Sequence, residues 1–330
     1  MDTTCPLYVF ETFTWHDVQP DTQLIVRSNG KRFLIVITTE TFKDSPPIQQ
    51  QYLQYLKAIQ LEDEPGDVLE DLEDWILQPF LTIFRALPPL LVESYTLQDY
   101  FSAETLSYTL RVAERERVPV PCDKPPSLMH MGVPLSPQYF SGFPVLRPGQ
   151  VEIVSNNFDD RPTKVRINEG TNCFFKQLLP GDLQVLQNEL KIYKRIQEAS
   201  DILAGVNVRI PRLHGLVQGD DSSIIGLLLT FIDGGSVTLL CAVDSDTPKA
   251  LRERWAHQIT FTLKCLHKAG IVWGDVKADN VLIDANQDVW IIDFGGGYTE
   301  GWVEEQLAGT LEGDLQGLTK ILEYLKRGSI

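Results

Sequence analysis

Positive charge is in short supply in this chain: 29 Lys and Arg stand against 45 Asp and Glu, a net charge of -16 over 330 residues. Such a surface disfavours nucleic acid or an anionic membrane as the main partner. Cysteine is also scarce. Cys5, Cys122, Cys173, Cys241 and Cys265 are odd in number and scattered, with no Cys-x-x-Cys pair. That excludes a disulfide framework or a zinc ribbon and fits reduced thiols inside a cell. No apolar run approaches the length of a membrane span, and no basic stretch followed by an apolar one opens the chain. A soluble protein of the cytoplasm or nucleus is expected, with neither membrane nor nucleic acid as partner. Internal repeats are absent. What is present is ordinary for a globular protein, 43% hydrophobic and 22% charged, with material for two domains or one elaborated domain.

The first 117 residues read as an α+β module without a chemical motif. Leu24–Ile37 places two apolar runs around Asn29-Gly30, a hairpin pattern. Ile48–Leu61 and Val68–Leu87 have helical periodicity, the second putting Leu69, Leu72, Trp75, Ile76, Phe80 and Ile83 on one face. The carboxylate-dense run Glu62–Glu73 reads as a solvated helix face rather than a metal site. Tyr95–Phe101 and Leu106–Ala113 are expected strands. Residues 118–149 carry Pro119, Pro121, Pro125, Pro126, Pro134, Pro137, Pro144 and Pro148, which forbids a regular helix or a central strand and suggests an extended linker.

The most informative stretch is 270–297. Two β-branched runs, Val281–Ile283 and Val289–Ile292, flank the turn-forming Asp284-Ala-Asn-Gln-Asp288 and predict a second hairpin. Asp275-Val-Lys-Ala-Asp-Asn280 precedes it and Asp293-Phe-Gly295 follows, so folding brings Asp275, Lys277, Asn280 and Asp293 to one edge. Oxygens from aspartate and asparagine, beside a lysine and a second aspartate, suit a Mg²⁺-bound phosphate chain and a hydroxyl nucleophile.

These residues resemble the protein-kinase superfamily, with its His-Arg-Asp-Leu-x-x-x-Asn catalytic loop and Asp-Phe-Gly metal motif. The resemblance implies a catalytic role for Asp275 and Lys277, and metal ligation by Asn280 and Asp293. Trp273 and Gly274 replace the histidine and arginine of the pattern; Gly274-Asp275 at this point is also similar to RIO-type kinases and aminoglycoside phosphotransferases. The whole string, with Tyr298-Thr-Glu-Gly-Trp302, is similar to a group of kinase-like proteins from filamentous fungi.

Upstream, the resemblance implies a small lobe over about 150–232 and a large lobe over about 233–330, a kinase-like domain spanning 150–330. Strands are expected at Val151–Val154, Lys164–Ile167 and Asn172–Leu178. Lys176 falls at the strand-three lysine and Glu189, in the helix from about Asp182, at its glutamate partner. Leu229 falls at the gatekeeper place, with backbone groups of Thr230 and Ile232 implied to bond adenine. Ser155–Pro162 replaces the Gly-rich phosphate loop and holds no glycine, so backbone amides lose their close approach to phosphate. After Asp293-Phe-Gly no Ala-Pro-Glu follows, Asp314 is the candidate brace of the catalytic loop, and a truncated large lobe is expected. His267 reads as a structural helix-end histidine.

The expected fold is therefore α+β: a two-lobed protein-kinase-like fold with a truncated large lobe, preceded by a smaller α+β module. The expected activity is ATP- and Mg²⁺-dependent phosphoryl transfer to an unidentified acceptor, a protein Ser/Thr or a small-molecule hydroxyl. A nucleotide-binding pseudokinase or scaffold stays open, as does a binding module that shares only the fold.

Overall fold

A computed structural model describes residues 6–15, 21–61, 66–123, 132–200, 208–234 and 237–328. Cys5, residues 62–65 of the acidic run, residues 124–131 of the proline-rich segment and Gly235 lie outside them. The chain divides into two compact units: Met1–Met129 with Val151–Pro162, and His130–Gln150 with Thr163–Ile330.

The first unit is a five-stranded sheet in the order β1 (Val9–Trp15), β2 (Thr22–Ser28), β3 (Lys31–Ile37), β4 (Thr105–Ala113), β5 (Glu116–Pro121). Asn29 and Gly30 turn β2 into β3 with φ of 49° and 75°, the left-handed pair that a two-residue hairpin requires. β3 and β4 run parallel, so a crossover must join them. It consists of α1 (Pro46–Leu61), α2 (Gly66–Leu77), α3 (Leu81–Ala86) and α4 (Leu97–Phe101). Alternate residues of the sheet, Leu24, Val26, Phe33, Ile35 and Leu110, meet Tyr52, Leu56, Leu72, Ile76 and Phe84 of the helices in one core.

The stretch Tyr95–Phe101 is not a strand. Thr96 and Asp99 form a reciprocal capping box, satisfying the first amides of α4 and favouring helix over extended chain. The proline-bearing β5 occupies a sheet edge, where a missing N–H costs no ladder bond. The chain later returns to this unit as 151–162, where the N–H of Ile153 donates to the carbonyl of Tyr95 at 2.7 Å.

In the second unit β6 (Val145–Leu146) lies beside β10 (Leu213–Gln218), followed by β11 (Ile224–Thr230), β9 (Thr171–Gln177) and β8 (Lys164–Ile167); β7 is the short Glu152–Ile153 strand of the first unit. α5 (Leu183–Glu198) buries Leu186, Leu190, Tyr193 and Ile196, the four- and three-residue spacing of a single apolar stripe. The large-lobe part adds α6 (Leu239–Ala242), α7 (Lys249–Lys268), α8 (Leu311–Arg327) and a small sheet β12 (Val237–Thr238), β13 (Val281–Ile283), β14 (Val289–Ile291). One continuous hydrophobic cluster runs from Leu190 and Leu227 through Trp273 and Phe294 to Leu263 and Ile321, so both lobes share a core. Among the described residues no helix is long and apolar enough to cross a membrane.

Candidate active site

Two polar clusters form in the second unit, and backbone geometry ties them together. The first begins with α5. Glu189 lies three residues after Leu186 on the face turned to the sheet, so its carboxylate is carried inside and is only 1% exposed. Lys176, on β9, places Nζ 3.1 and 3.0 Å from the two Glu189 oxygens and 2.9 Å from Asp293 Oδ1. Burial alone would depress the lysine pKa, but the Glu189 and Asp293 carboxylates outweigh it and hold the ammonium protonated. One ammonium between two carboxylates leaves the cluster a charge short. Asp293 is also the more open of the two acids, 40% exposed, and its backbone sits at φ 60°, unusual for any residue but glycine.

The second cluster is the loop before β13. Gly274 has φ 87°, a conformation that the arginine of the usual pattern would enter only with strain. The loop is pinned from α8: Asp314, 1% exposed, accepts the Trp273 N–H at 2.8 Å and the Gly274 N–H at 2.9 Å, while His267 Nε2 donates to it at 2.8 Å. Asp314 thus acts as the brace, and His267, at the end of α7, serves it rather than any ligand. The Trp273 indole is buried and its N–H donates to the carbonyl of Ile292 at 2.8 Å. The N–H of Ile292 in turn donates to the carbonyl of Asn280 at 3.0 Å. These two bonds hold the residue preceding Asp293 against the catalytic-type loop.

With the loop fixed, Asp275 Oδ2 lies 3.0 Å from Lys277 Nζ and accepts the Asn280 side-chain amide at 2.8 Å. That amide also donates to the Asp275 carbonyl at 2.9 Å. Asn280 is 6% exposed, and among the described residues its side-chain oxygen meets no donor. Thr299 completes the cluster. Its hydroxyl accepts from Lys277 Nζ at 3.0 Å and donates to Asp275 Oδ1 at 3.5 Å. A hydroxyl therefore already stands where a carboxylate can take a proton and an ammonium can neutralise charge. Sequence reasoning passed over Thr299. Its only signal was a hydroxyl residue just beyond the glycine run after Asp293.

Leu229 and Thr230 sit at the end of β11. Lys176 pairs with Leu227 and Phe174 with Leu229, so the register puts Lys176 and Leu229 diagonally on one sheet face. Leu229 and Ile232 are buried. The Thr230 N–H donates to the Arg212 carbonyl at 2.9 Å, so it is engaged within the sheet. The structure thus brings Lys176, Glu189 and Asp293 into one cluster and Asp275, Lys277 and Asn280 into another, with Leu229, Thr230 and Ile232 at the adjoining strand end.

The glycine-free loop belongs to the first unit. Asp159, 9% exposed, accepts the Gly30 N–H at 2.8 Å, and Phe158 packs on Tyr95 with ring centroids 4.9 Å apart.

A resident metal is tested by this donor set. Among the described residues no group of three or more His, Cys, Asp or Glu could hold an ion by itself. Asp293 and the Asn280 oxygen offer two hard ligands beside an unbalanced negative charge, which fits Mg²⁺ completed by substrate phosphates and water.

The fold is protein-kinase-like. Residues 177–305 match the family described as Protein kinase domain, a stretch that opens one residue past Lys176. A segment of 125 residues, 38% of this chain, is 27% identical to mitogen-activated protein kinase kinase kinase 2 of Arabidopsis thaliana and covers 18% of that protein. Another of 86 residues, 26% of the chain, is 30% identical to cAMP-dependent protein kinase type 3 of Saccharomyces cerevisiae, covering 21% of it. A third, 117 residues and 34% of the chain, is 31% identical to serine/threonine-protein kinase MRCK gamma of Homo sapiens, covering 7% of it. The chain spans about a fifth or less of the length of these relatives.

Proposed function

We propose that the protein is an atypical kinase-like phosphotransferase that moves the terminal phosphoryl group of ATP to an alcohol hydroxyl, on a protein Ser/Thr or a small molecule. The observation that carries this reading is the single ammonium of Lys176 held between Glu189 and Asp293, beside a second cluster in which Asp275 and Lys277 already handle a hydroxyl. Lys176 positions phosphate oxygens, and Glu189 holds Lys176 in place. Asn280 and Asp293 would hold Mg²⁺, which supplies charge neutralisation on the phosphates when bound. Asp275 orients the acceptor hydroxyl and takes its proton on a carboxylate oxygen. Lys277 neutralises charge on the moving group. Leu229 bounds the adenine site, with backbone groups of Ile232 and the carbonyl of Thr230 offered to the base, since the Thr230 N–H donates to the Arg212 carbonyl.

Within the kinase-like superfamily, Trp273-Gly274 and the string around Tyr298 favour the atypical branch that resembles the filamentous-fungal proteins. The domain limits read from the sequence, 1–117 for the N-terminal module, 118–149 for the linker and 150–330 for the kinase-like part, differ from the compact units at two places: Val118–Pro121 lie in the first unit's sheet and Val151–Pro162 belong to the first unit. The acidic surface and reduced thiols suit the cytoplasm or nucleus.

A second reading, a nucleotide-binding scaffold, is favoured by the loop 155–162. It has no glycine, and Asp159 and Phe158 are engaged with Gly30 and Tyr95 of the first unit. The deciding experiment measures label transfer from γ-labelled ATP alongside the melting temperature with ATP and Mg²⁺, for wild type, Asp275→Asn and Asp293→Asn. Transfer that Asp275→Asn abolishes while the nucleotide-induced stabilisation survives supports the phosphotransferase. Stabilisation lost in Asp293→Asn with no transfer from wild type selects the scaffold. No stabilisation of wild type at any nucleotide concentration overturns both.

A further inference from the structure

A cavity of about 290 Å³ lies on the far end of α5, away from Asp275 and Asp293 in sequence and in its lining. Its apolar lining is made by the rings of Phe143 and Tyr193 and the side chains of Ile196 and Leu213, with Gln197 and Ser200 as neutral polar members. The charged exception is Arg212. Among the described residues its side chain makes one hydrogen bond, from Nη1 to the Ile196 carbonyl at 3.4 Å, and pairs with no carboxylate. Burial pulls its pKa down.

Three sheltered arginines meet a carboxylate: Arg27 and Arg32 share Glu11, and Arg209 pairs with Asp288. Arg117 instead meets the Trp75 carbonyl and lies over its ring. A half-buried guanidinium with donors to spare is open to an acceptor arriving from solution. A carboxylate meets a guanidinium through two parallel hydrogen bonds, and an apolar body attached to it would cover the rings. At the roughly 30 Å³ that a water-sized group takes up in a liquid, the cavity holds about ten non-hydrogen groups. That is the size of an aryl acetate.

Tyr193 joins this cavity to the interior. Its ring walls the cavity and stands 5.9 Å from the Phe294 ring, while its hydroxyl is fully buried with no hydrogen-bond partner in the protein. Tyr193 and Glu189 lie on the same helix, so this wall of the cavity is shared with the helix that carries Glu189.

We propose that this cavity is a binding site for a small ligand joining a carboxylate to an aromatic or branched aliphatic body, with Arg212 taking the carboxylate and Phe143, Tyr193, Ile196 and Leu213 enclosing the body. The site stands apart from phosphoryl transfer and is tested without nucleotide. The probes are phenylacetate and its uncharged mimic phenylacetamide, titrated against the full chain by saturation-transfer NMR and calorimetry. Phenylacetate is expected to bind with a dissociation constant on the order of 1 mM or tighter. Phenylacetamide binds at least about tenfold more weakly, the loss that goes with one charge-assisted contact. Arg212→Met removes the difference between the two probes. Ser200→Trp, which fills the mouth of the cavity with a residue that starts at its exposed rim, abolishes binding of both. Equal phenylacetate affinity in wild type and Arg212→Met overturns the proposal, as does no saturable binding to wild type up to about 30 mM. If Arg212→Met fails to fold, the charged and uncharged probes on wild type still decide: equal affinity for both, or preference for the amide, overturns it.

Discussion

Two charge clusters in this chain use the same kinds of groups to opposite ends. In the first unit Arg27, 2% exposed, donates to Glu11 at 2.8 Å and to the Tyr100 carbonyl at 3.1 Å, and stacks over the Tyr100 ring at 3.6 Å. Arg32 donates to both Glu11 oxygens, to Oε2, which it shares with Arg27, at 3.0 Å and to Oε1 at 2.6 Å. That cluster is closed: its donors end inside the fold, and its work is to hold β1, β2 and β3 in register. In the second unit Lys176 is the sole cation between two acids, one buried and one open. That cluster is left negative, and its unmet charge faces outward. A sheltered ion pair stabilises a fold when every group is answered, and asks for a ligand when one is not.

The sharpest way to break the comparison is to neutralise the open side. Asp293→Asn is expected to lower phosphoryl transfer by about a thousandfold or more, the scale of losing a principal electrostatic group, while shifting the melting temperature without nucleotide little. A large loss of stability with transfer intact would move Asp293 into the structural class. Arg27→Met should do the reverse, costing about 3–5 kcal/mol in denaturant unfolding because Glu11 keeps only Arg32, with the relative rates of any transfer unchanged in the fraction that folds. Asp314→Ala belongs between the two. It strands the Trp273 and Gly274 amides and His267, so a loss of about 2–3 kcal/mol in stability accompanies a fall in transfer; nuclear magnetic resonance of the Trp273 amide reports the broken contact.

The smallest effects are in pH, and the two units differ in sign. In α2, burial followed by the Glu70 and Asp74 charges raises Glu73 from 4.5 to about 7. The folded state binds this proton more tightly than the unfolded chain, so the stabilisation is present below 4.5 and is lost as pH rises through about 7. Burial lowers His214 of the second unit from 6.5. There the unfolded chain binds the proton more tightly, so stability is lost as pH falls below 6.5. Melting curves across this range should flatten on the alkaline side in Glu73→Gln and on the acid side in His214→Gln. A slope unchanged by either substitution removes that residue from the account.

Much of this architecture was legible in the residues. Asn29-Gly30 announced the first hairpin because its turn needs two positive φ angles, and the spacing from Asp275 to Asp293 announced the second. Asp314 could be picked out as a brace only through the family resemblance, because the sequence itself does not show that this acid of α8, unlike Glu312, is buried. α4 was misread because Tyr, Leu and Phe in Tyr95–Phe101 alternate like a strand, and the deciding signal was the polar pair Thr96 and Asp99. β6 was hidden among prolines: two residues borrow their order from β10, not from local propensity. Thr299 was missed because its meaning arises only after Lys277 and Asp275 have converged on it. Periodicity encodes faces, whereas polar convergence across a loop has no period to read.

The Asp314 brace has a consequence for the order in which the molecule is made. During synthesis from the N-terminus, Lys176, Glu189, Asp275, Lys277, Asn280, Asp293 and Thr299 all emerge before Asp314. A nascent chain stalled just after Thr299 has each chemical group in hand but nothing to fix the Trp273 and Gly274 amides. The loop is therefore unbraced until α8 docks, and a proteolytic cut between residues 300 and 310 followed by loss of α8 would return it to that unbraced state. On the proposed reading, the onset of phosphoryl transfer follows the position of one carboxylate.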